Sequence, residues 1–458
     1  MDSKEIIKQQ RLFYSSGKTR NVDFIIDKLS NLKQKIIENE ESINNVLYRD
    51  LKKSKFESYI SEFGILISEL DNYIKNIKKW SKRKKVRSSL LNFPSSDYIY
   101  NEPYGAVLII APWNYPFQLS ISPVIAAIAA GNTVVLKPSE LSENTGALIK
   151  KILSEVFDEK HLKVVLGGVF EATALLKEKW DYIFFTGSVP VGKIIAKAAA
   201  KNLTPVTLEL GGKNPCIVDE NVDINLTAKK IIWGKFFNAG QTCIAPDYII
   251  VKDNIKDLLV KNLKIEIQKA YGNDAQKSED YPRIINKNNF RRLESMLNGV
   301  EILYGGKTDI DDNFIGPTLV NQPKLETKLM KNEIFGPILP ILKYSSLIEI
   351  KKIVEMNSKP LAFYVFTKNK NLYNSIIEKY SYGGGVVNDT MIHFGNPKLP
   401  FGGVGESGYG AYRGKYGFET FSHKKSIVIK SNLIDIPIRY APYKGKLKIL
   451  KKMFKLLS

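Results

Sequence analysis

Cysteine and histidine are scarce in this chain of 458 residues, which holds two cysteines, Cys216 and Cys243, and three histidines, His161, His393 and His423. Two cysteines cannot frame a disulfide-stapled fold, and such scarcity fits a reducing compartment in which either is a free thiol. The histidines show no ligand spacing with each other or with cysteine, so no metal site is expected. Long apolar runs are also missing. The nearest, Pro123 to Leu136, is interrupted by Gly131 and Asn132 and falls short of the ~20 residues that a spanning helix needs. The opening residues, MDSKEIIKQQRLFYSSGK, lack a continuous apolar stretch with a small-residue cleavage site, so no secretory signal is expected and the expected location is the cytoplasm.

What is present describes a folded soluble chain: 44% hydrophobic and 25% charged residues, with length enough for two or three domains. The net charge of +21 raises the question of nucleic acid. Lysine, however, heavily outnumbers arginine and is spread along the chain with no recognition motif, so no nucleic-acid partner is expected. Two basic concentrations remain, Lys78 to Arg87 and Lys444 to Lys455, and both suit an anionic surface. In the final stretch, KLKILKKMFKLLS (446 to 458), helical spacing puts Leu447, Ile449, Leu450, Met453, Phe454, Leu456 and Leu457 opposite Lys448, Lys451, Lys452 and Lys455. Such a basic amphipathic helix either lies peripherally on an anionic membrane or packs its apolar face on the same protein across a substrate entrance.

Residues 1 to 80 carry amphipathic helical patterns, for example Val22 to Glu38 with Phe24, Ile25, Leu29, Leu32 and Ile36 near helical period. From Val86 to Tyr100 the pattern turns extended and is broken by the turn cluster Pro94-Ser95-Ser96-Asp97; Ser426 to Ile438 is again extended and could pair with it. Between Ala106 and Leu210 short apolar runs (AVLIIAP, TVVLKPS, LKVVLGG, DYIFFTGS, PVTLEL) alternate with helical segments, the pattern of parallel strands buried between helices. The expected fold class is therefore α/β: a doubly wound Rossmann-like cofactor domain, an α/β catalytic domain and a small β bridging arm used in oligomerisation. The expected boundaries are 1–80 and 101–210 for the dinucleotide-binding domain, 81–100 and 421–440 for the arm, 211–420 for the catalytic domain and 441–458 for the basic tail.

Three segments carry candidate chemistry. Cys243 sits in FFNAGQTCIAP, inside a Gly-Gln-Thr turn after a helix-like stretch, where a thiol can be both accessible and activated; a lone cysteine is otherwise a small buried hydrophobe, which is how Cys216 in NPCIV reads. Glu209, in VTLELGGKNP, ends a strand where ligands bind in open α/β sheets, and partial burial would tune it as a general base; its bland reading is a solvated strand-end glutamate. Asn114 follows AVLIIAPW at another strand end and could donate its amide to an oxyanion, or serve only as a turn residue before Pro116.

For the cofactor, FTGSVPVG (185 to 192) follows a strand and opens a helix, so Gly187 and Ser188 could place donors near a pyrophosphate, although the pattern is not GxGxxG. Lys137 and Glu140 in KPSE could bind ribose hydroxyls or form a surface ion pair. Glu333 in NEIFGP could hold a ribose or be an ordinary loop carboxylate.

Together these segments resemble the aldehyde dehydrogenase superfamily: PWNYPF with Asn114, KPSE, FTGS, LELGGK with Glu209, GQTC with Cys243, EIFGP with Glu333, and LPFGGVGESG with Phe401, in family order over roughly residues 100 to 425. The short N-terminal region, VVNDT (386 to 390) and FSHKKS (421 to 426) resemble the class 3 branch of fatty and aromatic aldehyde oxidisers. The resemblance implies NAD(P)-dependent oxidation of an aldehyde, with medium- or long-chain aliphatic or aromatic substrates expected, and a homodimer bridged by the arm. Cys243, Glu209 and Asn114 would be the catalytic set, acting through a cysteine thiohemiacetal and thioester. Cofactor contacts would come from Lys137, Glu140, Gly187 and Ser188, with Gly192, Glu333 and Phe335 beside them. Tyr115, Thr242 and Phe401 would line the substrate pocket. A glutamate at 140 would repel a 2′-phosphate and so favours NAD, with NADP possible in this branch. Glu406 departs from the pattern, where a neutral residue such as asparagine is expected, and would tune the pocket edge. Two alternatives stand beside this reading: a catalytically silent member serving as a membrane-associated binding or structural protein, and a dehydrogenase that passes its acyl group to coenzyme A. The joint presence of Cys243, Glu209 and Asn114 argues against silence, and Glu209 as a hydrolytic base favours water over coenzyme A.

Overall fold

The structure is a computed structural model; it describes residues 2–89, 92–357 and 359–457, with only the backbone of 456 and 457. The described residues fold around two large sheets, with a three-stranded arm and a two-stranded ribbon, Thr308–Asp309 with Phe314–Ile315, beside them. Residues 90 and 91 of the expected arm, and the side chains of Leu456 and Leu457 in the tail, lie outside the described residues.

In the first sheet, the apolar runs of the sequence become five parallel strands: β1 (Ala106–Ile110), β2 (Thr133–Lys137), β3 (Leu162–Val164), β4 (Tyr182–Gly187) and β5 (Val206–Leu210). Their spatial order is 3-2-1-4-5, the doubly wound arrangement in which the chain reverses direction of travel between β1 and β4. All residues of β1 and β2 are buried, because helices cover both faces and no polar alternation is needed. One covering helix, α1 (Gln118–Ala129), is buried all round and lies beneath the N-terminal helix Gly64–Trp80. The expected helix at Val22–Glu38 forms over that span, capped by the Asn21 side chain and buried through Ile25, Leu29, Leu32 and Ile36. Phe24 is only half buried.

The second sheet has seven strands in the order Glu301–Tyr304, Thr318–Asn321, Ile338–Tyr344, Tyr248–Lys252, Pro215–Val218, Ala362–Phe366 and Gly384–Val387. All neighbours are parallel except the first pair. Cys216 sits fully buried in Pro215–Val218, the small-hydrophobe role expected of it. The expected extended segment Ser426–Ile438 is strand only as far as Lys430, and Ser95–Asp97, expected as a turn, lie within a strand. A domain boundary differs as well. Gly408–Tyr409, placed by the sequence reading within the 211–420 segment, returns to the first sheet and pairs antiparallel with Leu208 and Glu209 of β5.

The arm is built from Lys84–Val86, Ser95–Pro103 and Ser422–Lys430. Ser95–Pro103 runs antiparallel to Ser422–Lys430, Ser95 facing Lys430 and Pro103 facing Ser422. The tail forms a helix, Lys446–Leu457. Leu447, Ile449 and Phe454 on that helix are exposed, whereas Leu450 and Met453 are half-buried. No described helix is long and apolar enough to cross a membrane.

Candidate active site

A cavity of about 1210 Å³ opens where β1 and β4 diverge, between the two sheets. Each wall comes from a strand end or the loop that follows it. Trp113, Asn114 and Tyr115 follow β1; Gly187 ends β4 and Ser188 leads into α2 (Val189–Ala200); Glu209 is the penultimate residue of β5 and Gly211 directly follows the strand. The second sheet's side supplies Thr242 and Cys243 from the turn after α3 (Ile224–Phe236), together with Glu333, Phe335 and Phe401. Much of the remaining wall is apolar, including Ile60, Ile65, Leu119, Phe237 and Phe394.

The thiol turn is held in an uncommon backbone path. Asn238 and Ala239 both adopt left-handed φ, 53° and 50°. Gly240 follows at φ 73°, and a Cβ there would lie 2.3 Å from the Gly336 carbonyl, so no larger residue fits. Cys243 is half-buried at the cavity wall, and its carbonyl accepts the Asn214 amide at 2.8 Å. Burial pushes its thiol up to about 12, with Glu333 and Glu209 adding to the rise and the N–H groups of Cys243 and Ile244 opposing it.

Asn114 is buried, and its Nδ2 donates to the Gln241 carbonyl at 3.0 Å, which ties the loop after β1 to the thiol turn. The Tyr115 and Thr242 hydroxyls hydrogen bond at 2.5 Å across the same junction. Glu209 is buried at the end of β5, and neither of its carboxylate oxygens has a hydrogen-bond partner among the described residues. Desolvation raises its pKa well above the usual carboxylate range. An unpartnered buried carboxyl facing a cavity is costly unless something in the cavity meets it.

Glu333 rests on the glycine pair after β5: a Cβ at Gly211 would lie 2.0 Å from its Oε2, so only glycine permits the approach. Burial lifts Glu333 to about 8, the nearby Asp247 adding to the shift and a hydrogen bond from the Gly212 N–H opposing it. Phe335, at left-handed φ 48°, meets Trp113 edge to face with ring centroids 5.3 Å apart, closing one side of the cavity. Chemically, the site offers a thiol, neighbouring N–H donors and a carboxyl able to exchange a proton in an apolar enclosure. That is the equipment of acyl chemistry on cysteine.

Residues 23–427 match the aldehyde dehydrogenase family. The chain belongs to this family. It is 46% identical over 447 residues to 4,4′-diaponeurosporen-aldehyde dehydrogenase of Staphylococcus aureus (strain NCTC 8325 / PS 47), covering 97% of each chain. It is 44% identical to aldehyde dehydrogenase family 3 member A2 of Pongo abelii over 425 residues, covering 93% of this chain and 88% of that one. Among solved structures, the substrate-bound state of Staphylococcus aureus AldH superposes with a TM-score of 0.96 at 45% identity, over 98% of this chain and 99% of that one. The protein is thus an NAD(P)-dependent aldehyde dehydrogenase of the class 3 kind, with the α/β fold expected of it.

In this aldehyde dehydrogenase the cavity gathers Asn114, Tyr115, Gly187, Ser188, Glu209, Thr242, Cys243, Glu333, Phe335 and Phe401. Three of the expected cofactor positions do not line it. Lys137 ends β2 and is buried, its Nζ donating to Glu140 at 2.9 Å and to the Pro138 carbonyl at 3.0 Å. Glu140 stays partly exposed; burial is the largest single influence and opposes its ionisation, but the Lys137 hydrogen bond, its own backbone N–H and the Lys137 charge together outweigh burial and hold its pKa below the ordinary value. Gly192 lies inside α2, where a Cβ would meet Leu210 at 2.7 Å, so it serves close packing of that helix on β5. Glu406 stands exposed at the cavity edge, 3.5 Å from the Lys193 amine.

Several neighbours escaped the sequence reading. Lys213, inside the LELGGK motif, is buried and paired with Asp247, whose other oxygen accepts the Ile334 N–H at 3.0 Å beside Glu333. Arg292 lines the cavity and donates to the Ile334 carbonyl at 2.9 Å. Their only sequence signal was the motif lysine; nothing near Arg292 or Asp247 distinguishes them from ordinary helix and loop charges.

Proposed function

We propose that this aldehyde dehydrogenase oxidises an apolar aldehyde, medium- or long-chain aliphatic or aromatic, to the carboxylic acid through a thioester on Cys243. The observation that carries this reading is the unpartnered Glu209 carboxyl, buried in the same apolar cavity as the Cys243 thiol. The Cys243 thiol releases its proton to solvent and, as the thiolate, attacks the aldehyde carbonyl to give a thiohemiacetal whose oxyanion is held by the Asn114 amide and the Cys243 N–H. Each such donor contributes about 3 to 4 kcal/mol in comparable sites. Loss of hydride leaves the thioester. Glu209 then takes a proton from water as that water attacks the thioester, which regenerates the thiol and releases the acid. A base so placed favours water over coenzyme A as the acyl acceptor.

The residues present fit a dinucleotide at the crossover of the first sheet. The Ser188 side chain does not cap α2, whose first residues Val189 and Pro190 line the cavity, so that of its first turn the Val189 and Val191 N–H groups remain for an anion while Pro190 has none, and Glu333 sits where Gly211 lets it come close. In this reading Gly187, Ser188, Gly192 and Phe335 shape that region, Glu333 holds the nicotinamide ribose, and Lys137 with Glu140 holds the adenine-side ribose. When bound, NAD or NADP accepts the hydride. The carboxylate of Glu140, partly exposed at its strand end, disfavours a 2′-phosphate and supports NAD.

Tyr115, Thr242 and Phe401 line the substrate side, and Glu406 with Lys193 sets its charged edge. The Ser422–Lys430 strand is an outer strand of its sheet with Val428 and Ile429 exposed, which supports a homodimer closed over that edge. The exposed apolar side chains of the tail helix, flanked by lysines, support peripheral contact of a cytoplasmic enzyme with anionic membrane.

Steady-state reduction of NAD and NADP with hexanal, decanal and benzaldehyde, for the wild type and Cys243→Ala, tests the proposal. Turnover should vanish in the variant, and the wild type should favour the apolar aldehydes and NAD. Undiminished turnover in Cys243→Ala would sink the reading.

A further inference from the structure

The loops that carry Asn114 and Cys243 are both tied to one short N-terminal stretch, Lys53 to Glu62. The Glu57 carboxylate, buried, accepts the backbone N–H of Asn238, the first of the two left-handed residues in the thiol turn. The Asn238 side-chain amide spans the gap, donating to the Asn114 carbonyl at 2.8 Å and to the Gln241 carbonyl at 3.2 Å. Lys53 pairs with Glu62 at 2.5 Å and reaches the Asn114 carbonyl at 3.4 Å. The second Glu62 oxygen accepts the N–H groups of Phe117 and Gln118, which fixes where α1 begins.

A non-glycine residue at positive φ costs free energy, and two in succession persist only when their surroundings hold them. Here the hold is supplied from 181 positions upstream. We propose that Glu57 is a positioning residue for the oxidation: by accepting the Asn238 N–H it maintains the left-handed turn that sets the Cys243 thiol against the Asn114 amide. This rests on the roles given above to Cys243 and Asn114. Burial lifts Glu57 to about 7, opposed by Lys53 and by the Asn238 bond. The acceptor oxygen, rather than the full charge, is what the turn uses, so glutamine can replace it.

The experiment compares Glu57→Leu, Glu57→Gln and Asn238→Ala in two reactions. One is benzaldehyde oxidation; the other is hydrolysis of p-nitrophenyl acetate, which needs the thiol and the oxyanion donors but no hydride transfer. Glu57→Leu should lower kcat in both by about 10- to 100-fold, the scale of a misplaced reacting group, with the KM for NAD held within about twofold. Glu57→Gln should restore both, and Asn238→Ala, which cuts the amide tether and leaves the buried carboxylate in place, should lower both. The proposal is overturned if Asn238→Ala keeps both activities, if Glu57→Gln falls as far as Glu57→Leu, or if either loss is confined to the KM for NAD. Cys243→Ala run alongside separates the two readings: ester hydrolysis surviving in it refutes the role of the thiol, whatever the Glu57 variants do.

Discussion

The Asn114 amide donates to the main-chain carbonyl of Gln241 at 3.0 Å, across 127 positions of chain, and so fastens the loop after β1 to the turn that presents Cys243. One N–H of that amide is committed to this bond and the other remains for an oxyanion.

Replacing Asn114 therefore removes both a donor and a tether. Asn114→Ala should lower kcat by about 100- to 1000-fold, in the range of a lost oxyanion-hole donor. Steady-state kinetics with benzaldehyde provide the measurement, and a kcat within a factor of a few of the wild type would assign the oxyanion to other groups.

Glu209→Gln separates the two halves of the reaction. The first turnover should proceed and release NADH in a burst, after which the thioester stalls and the steady-state rate drops by about 100- to 10,000-fold, the usual contribution of a positioned base. Stopped-flow absorbance reads both phases. A variant that loses the burst as well would move Glu209 to an earlier step.

The same variant should also be more stable than the wild type. Desolvation holds the folded Glu209 pKa well above the ordinary value, so between the two values the native state binds more protons than the unfolded chain. Stability from this group is therefore present at acid pH and lost as pH rises from the ordinary carboxylate range towards the folded pKa. Glutamine has no proton to lose, and the difference in Tm between Glu209→Gln and wild type should widen as pH increases. Thermal unfolding measured across neutral and alkaline buffers checks the sign; a gap that narrows with pH would contradict it.

Lys53 and Glu62 form an ion pair with both side chains fully buried. Lys53→Met leaves the Glu62 charge without its cation and should cost about 3 to 5 kcal/mol of stability. Denaturant titration of the single variant and of Lys53→Met with Glu62→Gln should show much of that loss recovered in the pair. Equal losses would mean that packing, not charge, holds the site.

Truncation after Tyr443 removes the tail helix, where Leu447, Ile449 and Phe454 are exposed and no described side chain lines the cavity. Co-sedimentation with anionic liposomes should fall to background while benzaldehyde turnover stays unchanged. Persisting co-sedimentation would move the lipid contact to the basic stretch Lys78 to Arg87.

Much of this protein is legible in its sequence. Strand ends announced Asn114, Glu209 and Gly187, because a buried parallel strand is an unbroken apolar run and the residue after it faces the ligand crevice. Cys243 stood out only through the family motifs around its Gly-Gln-Thr turn, a lone cysteine being more often a buried hydrophobe, whereas the helical period alone delimited Val22–Glu38. These signals are local: each reports on neighbours a few residues away, where backbone geometry dictates side-chain direction. Tertiary structure decided what depends on partners far along the chain. Glu57 and Lys53 look like ordinary helix charges until folding buries them against Asn238 and Asn114. Gly408–Tyr409 belongs to the first sheet only because β5 offers an open edge. Lys137 and Glu140 stand outside the cavity wall, a separation that no spacing in their own motif reveals. The identity of the thiol is a matter of sequence; its surroundings, which raise its pKa and hold its turn, exist only once distant segments have packed together.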